Sequence, residues 1–146
     1  MSDGVFNIAK GAVAEKVRDD DDVLEVLLMR ANESESDLID HAHSDELFSA
    51  QGNLEANFTN YARKTGITGT VTVDHVNNRV DVDMPDQTWA DAGGTTNNEL
   101  TKLLVAYREG LGGGNLIPLT HHDFVRTTDG GDIIVEFNAA GFYRAA

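Results

Sequence analysis

The sequence predicts a mainly β fold, with α+β as the alternative. The expected architecture is an antiparallel β-sandwich or barrel-like single domain with short helical segments and extended termini. Three observations carry this. Residues 70–74 and 79–84 alternate apolar and polar with period two, the signature of a half-buried strand. Residues 23–29 (VLEVLLM) are nearly all apolar and short, as a buried strand is. Clusters of Gly, Asn and Asp punctuate these runs where hairpins need turns. At 146 residues the chain has the size of one domain. It divides into an N-terminal arm, 1–18, and a β-rich domain, 19–146.

Taken in order, residues 3–17 (DGVFNIAKGAVAEKV) are small and apolar. Val5, Ile8 and Ala12 share a helical spacing, but Gly4 and Gly11 weaken a helix, so an extended arm is expected. Asp19–Asp22 is a carboxylate run that reads as a solvated turn ahead of the strand at 23–29. Residues 32–50 are polar and acidic, with apolar punctuation at Leu38, Ile39, Leu47 and Phe48. They predict a loop leading into a short helix or helical turns. Residues 53–64 fit either helix or extended chain, and Gly66 and Gly69 then break it.

Thr70–Asp74 and Arg79–Met84 form a predicted hairpin around His75-Val76-Asn77-Asn78, with Val71, Val73, Val80, Val82 and Met84 on one face. Pro85 ends the second strand. Gln87-Thr88-Trp89 predicts a short strand with Trp89 inside, and 92–98 a loop. Leu100–Tyr107 predicts a strand, although its leucines also fit helical spacing. Gly110–Gly114 reads as a connection. Leu116–Thr120 is expected to be short and extended, with Pro118 arguing for a sheet edge. Asp129-Gly130-Gly131-Asp132 predicts a second hairpin between Phe124–Thr127 and Ile133–Phe137. The end, 138–146, is small and aromatic.

Composition narrows the function. The formal charge is −14, from 25 acidic and 11 basic residues. Residues 1–60 hold 14 acids against 4 bases, so the first part is the more negative. Such a surface repels phosphates and argues against nucleic-acid binding, while favouring solubility and partners with basic patches. The absence of cysteine excludes disulfides, thiolate catalysis and cysteine-based metal sites. No run of about 18 apolar residues points to a membrane span. The start, Met1-Ser2-Asp3-Gly4, lacks the character of a signal peptide, so Asn32-Glu33-Ser34 and Asn57-Phe58-Thr59 are read as chance glycosylation patterns.

Two clusters invite a chemical reading. His121-His122-Asp123 contains possible metal ligands, but neighbouring strand residues point to opposite faces, so the rings would not share one ion. His41, His43 and Asp45 would share a face on a strand, yet their segment reads as loop or helix. Neither a nucleophile elbow nor a phosphate-binding glycine loop is present. No catalytic residue, cofactor or metal is therefore expected.

Several segments resemble a family of small structural proteins of tailed bacteriophages. They are VFNIAKGAVAE (5–15), NFTNYARK (57–64), RVDVDMPDQTW (79–89), GGTTNNELTKLLVAY (93–107), IPLTHHDF (117–124) and AAGFYRA (139–145). They cover well over half of the chain in the family's order. The departures are the acidic segment 30–55 and a shortened loop at 108–115. The resemblance implies a virion component assembled in the host cytoplasm. The first expectation is a capsid decoration (cement) protein on the outer surface of the major capsid protein shell, self-associating, with a trimer favoured. The alternative is a tail or minor virion protein of the tail tip or connector. A metal-dependent hydrolase built on His121, His122 and Asp123 is the remote alternative. Apolar residues at chain ends need a cover, which makes Val5, Phe6 and Ile8, with Phe142, Tyr143 and Arg144, the expected interface residues. The alternative is that both ends fold back on their own domain.

Overall fold

Residues 24–31 form the strand around which the rest is built. A computed structural model describes residues 3–6, 23–108, 116–138 and 141–145. The expected turn at Asp19–Asp22, the expected connection at Gly110–Gly114 and the expected interface residue Ile8 lie outside the described residues, as does most of the predicted arm. The chain is mainly β, its paired strands run antiparallel, and no sheet closes into a barrel among the described residues.

Eleven strands are described: β1 (Gly4–Val5), β2 (Leu24–Ala31), β3 (Leu54–Glu55), β4 (Lys64–Ile67), β5 (Thr70–Asp74), β6 (Arg79–Asp83), β7 (Gln87–Trp89), β8 (Glu99–Arg108), β9 (Leu116–Thr127), β10 (Ile133–Val135) and β11 (Tyr143–Ala145). Two short helices, α1 (Glu35–Leu38) and α2 (Ser44–Ser49), lie between β2 and β3. The main sheet has the order β1-β9-β8-β2-β3, with β4 also on β2. β10 pairs with β7, and β11-β6-β5 make a third sheet.

The apolar run of β2 follows from its position. It pairs with β8 on one side, and with β3 and β4 on the other. Its residues Leu24 to Met29 are buried on both faces, so the usual polar alternation is suppressed. β8 is buried likewise from Lys102 to Tyr107. The core joins these strands to Phe6, Phe58, Trp89, Leu116, Ile133 and Phe142, so residues from near both chain ends meet in one cluster. The Trp89 indole N–H donates to the Ala62 carbonyl at 2.7 Å, which satisfies its buried polar group.

The predicted hairpin of β5 and β6 is present, with Val71 opposite Val82 and Val73 opposite Val80. Its buried face is limited to the base. Val82 is fully buried, whereas Val73 is 54% exposed because the tip projects beyond the core.

Two expectations are corrected. The strand containing Pro118 is not short: β9 runs for 12 residues between β8 and β1. Pro118 is tolerated because the register shifts there, and β1 covers only Thr120 and His121. The second correction concerns the hairpin at 129–132. The turn exists, with Gly130 at φ 97° and Asp129 Oδ1 accepting from the Gly131 N–H at 2.9 Å. Its two flanking strands do not pair. The turn docks on another loop, where Gly130 N–H donates to Ala92 O at 2.7 Å and Ala92 N–H to Gly131 O at 3.0 Å. The chain leaving it therefore continues along β7, placing Ile133 opposite Trp89.

Candidate functional site

A group of ionisable side chains gathers on the main sheet around a buried lysine. Lys102 on β8 is 3% exposed. Its ammonium donates to Glu35 Oε1 at 2.8 Å and pairs with Asp123 Oδ1 on β9. It also stands 3.4 Å from His121 Nδ1. Burial works against the lysine charge, but the hydrogen bonds to Asp123 and Glu35 outweigh it and hold Lys102 above the ordinary lysine value. An ammonium so held is neither a nucleophile nor a base near neutral pH. Burial, and then the Lys102 charge, push His121 below the usual histidine value, so its ring is neutral.

Strand alternation separates the adjacent histidines, as their sequence predicts. His121 is 2% exposed and packs edge-on against Phe6, with ring centroids 5.8 Å apart. His122 turns the other way, 3.0 Å from Thr120 Oγ1 and 3.6 Å from Asp3 Oδ2. His41, His43 and Asp45 are not assembled either. His41 Nε2 meets Glu33 Oε2 at 2.8 Å, and His43 is the N-cap residue of α2. No group of three or more His, Asp or Glu side chains arranged to hold a metal ion occurs among the described residues.

Two further ionic groups brace the sheet, one on a buried glutamate and one half-buried. Glu25 on β2 is 2% exposed and accepts from Arg108 Nε of β8 at 2.6 Å. Glu55 accepts from Arg63 Nε at 2.7 Å and Nη2 at 3.0 Å, and from the Tyr61 hydroxyl at 2.8 Å. Burial, reinforced by the Glu55 charge, pushes the Tyr61 phenol well above its ordinary range. The Lys102 and Glu25 groups join segments far apart in sequence, whereas Glu55, Tyr61 and Arg63 are close in sequence and Glu55 and Arg63 line an open groove.

The expected interface residues are placed differently from one another. Val5 lies in β1 opposite Thr120. Phe6 is fully buried, and Phe142 and Tyr143 are each 8% exposed. The premise that these aromatic rings await an outside cover is thus corrected: their own domain covers them. Gly141 at φ 92° turns the chain so that the Phe142 N–H donates to Val82 O at 2.9 Å, and β11 then pairs with β6. Arg144 alone of the three C-terminal residues is exposed, and its Nε donates to Asp81 Oδ1 at 2.6 Å.

Among the described residues, the large apolar side chains that reach solvent are others: Val76 (90% exposed), Val125 (87%), Ile134 (55%), Val73 (54%) and Leu54 (39%). Val73 and Val76 sit at the β5–β6 tip. Ile134 borders a groove of about 360 Å³ between β9 and the C-terminal segment, also lined by His122, Phe124, Phe137 and Phe142. For Val76 a signal existed, since a valine inside a predicted turn has no core to enter. No helix among the described residues is long and apolar enough to cross a membrane. No protein-family model, curated protein or solved structure matches the chain.

Proposed function

We propose that this chain is a structural protein of tailed-bacteriophage virions. In this reading it is a non-enzymatic capsid decoration protein that binds the outside of the major capsid protein shell, together with copies of itself, and stabilises it. The observation that carries the reading is the use of the interior charges. Lys102 and Glu25 tie strands and loops together, where a catalytic centre would present such groups to a substrate. A protein whose task is to hold shape against a shell has use for such struts.

The resemblance noted from the sequence supports the same reading. The resembling segments supply β6 and β7, β8, most of β9 and β11, which are framework. The departing segment 30–55 carries α1, α2 and β3 at the periphery. A constant framework with variable outer contacts suits a protein fitted to a particular shell. The charge of −14 favours a basic docking surface on the partner.

Mixing the purified chain with shells of the major capsid protein, then sedimenting them, tests the proposal. Saturable co-sedimentation and a raised shell melting temperature are expected. Recovery with isolated tails and none with shells would replace this reading with the tail alternative.

A further inference from the structure

The edges of the sheets differ in how they are guarded. β1 and β3 are two residues long, and β10 is three. β4 carries Lys64 and a Gly66 at φ 64°. The stretch of β9 beyond His121 carries Asp123 and Arg126. β5 has no such protection. It is a five-residue strand, TVTVD, at the end of the order β11-β6-β5, and nothing pairs with its outer side among the described residues. Its register with β6 runs without a shift from Thr70–Asp83 to Asp74–Arg79, so no bulge twists the edge away. Thr70, Thr72 and Val73 are exposed. Edge strands that are flat, β-branched and free of lysine, proline and bulges are templates for another strand.

The strand also matches itself. An antiparallel copy related by a two-fold axis at Thr72 sets Thr72 against Thr72, Val71 against Val73 and Thr70 against Asp74. Valines then meet valines on one face, and hydroxyls meet hydroxyls or a carboxylate on the other. The single charge of the strand faces a threonine and not its own copy. Centring the axis one residue to either side leaves part of the strand unpaired. This sheet repels a second copy only weakly, because Asp74, Asp81 and Asp83 stand against Arg79 and Arg144 and leave a single net negative charge.

We propose that the outer edge of β5 is a self-association site at which a second copy of the chain pairs antiparallel about Thr72, forming a two-fold dimer through a continuous intermolecular sheet. Val73, and the exposed Val76 at the tip, are the apolar anchors. The pairing would give a dimer, where the resemblance leads to the expectation of a trimer. It stands apart from the virion reading, since it holds or fails on the purified chain alone.

The chain has no cysteine, so engineered thiols report without background. A two-fold axis at Thr72 puts its two Cβ atoms about 5 Å apart, whereas two copies of residue 70 lie about 14 Å apart. In Thr72→Cys, a short bifunctional thiol reagent should give nearly complete covalent dimer, and in Thr70→Cys little. Sedimentation velocity of the unmodified chain should show a concentration-dependent dimer. Val73→Lys should weaken it about tenfold or more, because the axis places the lysine in both strands. Its melting temperature at high dilution should stay within about 2 °C, the position being exposed. A monomer or a trimer at every concentration, equal cross-linking at positions 70 and 72, or a dimer indifferent to Val73→Lys would each overturn the proposal.

Discussion

Lys102 and Asp123 are opposite one another on β8 and β9, and their side chains form an ion pair on an ammonium that is only 3% exposed. The pair is asymmetric, since the Asp123 and Glu35 side chains are 28% and 44% exposed. Removing Asp123 leaves the buried ammonium to the more exposed Glu35, while removing the lysine frees carboxylates that water can reach.

The two substitutions should therefore differ. Asp123→Ala is expected to cost about 2 kcal/mol, the loss of one charge-assisted bond to a buried ammonium that keeps Glu35. Lys102→Met, which keeps most of the volume and deletes the charge, should cost about 1 kcal/mol or less. Urea denaturation of both variants measures the difference. Equal losses would show that packing, and not the buried charge, sets the stability of this region.

Gly141 anchors the C-terminal strand. A Cβ built there would lie 2.1 Å from Val82 O, on a residue at φ 92°. Gly66 also has positive φ, at 64°, but a Cβ there meets nothing within 4 Å. Gly66→Ala should therefore cost only the backbone strain, about 1 kcal/mol. Gly141→Ala should cost about 3 kcal/mol and unpair β11. Amide exchange at Phe142 and Tyr143 should accelerate in Gly141→Ala and stay unchanged in Gly66→Ala.

Much of the fold was legible because its strands carry local signals. The apolar run of β2 and the alternation of β5 and β6 identify them without tertiary information. The pairing of β10 with β7 was not legible. The turn at Gly130 reads correctly, but its loop partner at Ala92 is distant in sequence, and hairpin reasoning assigns the nearest strand. The interior charges were hidden for the same reason, since Glu35, Lys102 and Asp123 come from three separate segments. The aromatic ends were recognised as needing cover. Sequence could not say that Val82 and His121 of the same domain provide it.

Stability should fall in two steps on acidification. Burial holds His121 and His122 below the usual histidine value, with the Lys102 charge adding to it at His121. The unfolded chain then binds more protons than the folded one once the pH drops below about 6.5, so stability is lost on the acid side of that value. A second loss is expected below about pH 4. There Asp74, held low by hydrogen bonds from Asn77, and Asp81, held low by Arg144, must take up protons. Melting temperature followed from pH 8 to pH 3 should show both limbs, and His122→Gln should shrink the first while leaving the second.

The number of copies of this chain in each purified particle, determined by quantitative mass spectrometry against the major capsid protein, tests the decoration role most directly. Hundreds of copies, distributed with the shell, are the predicted result. A count of six or twelve, or recovery with the tail alone, would contradict it.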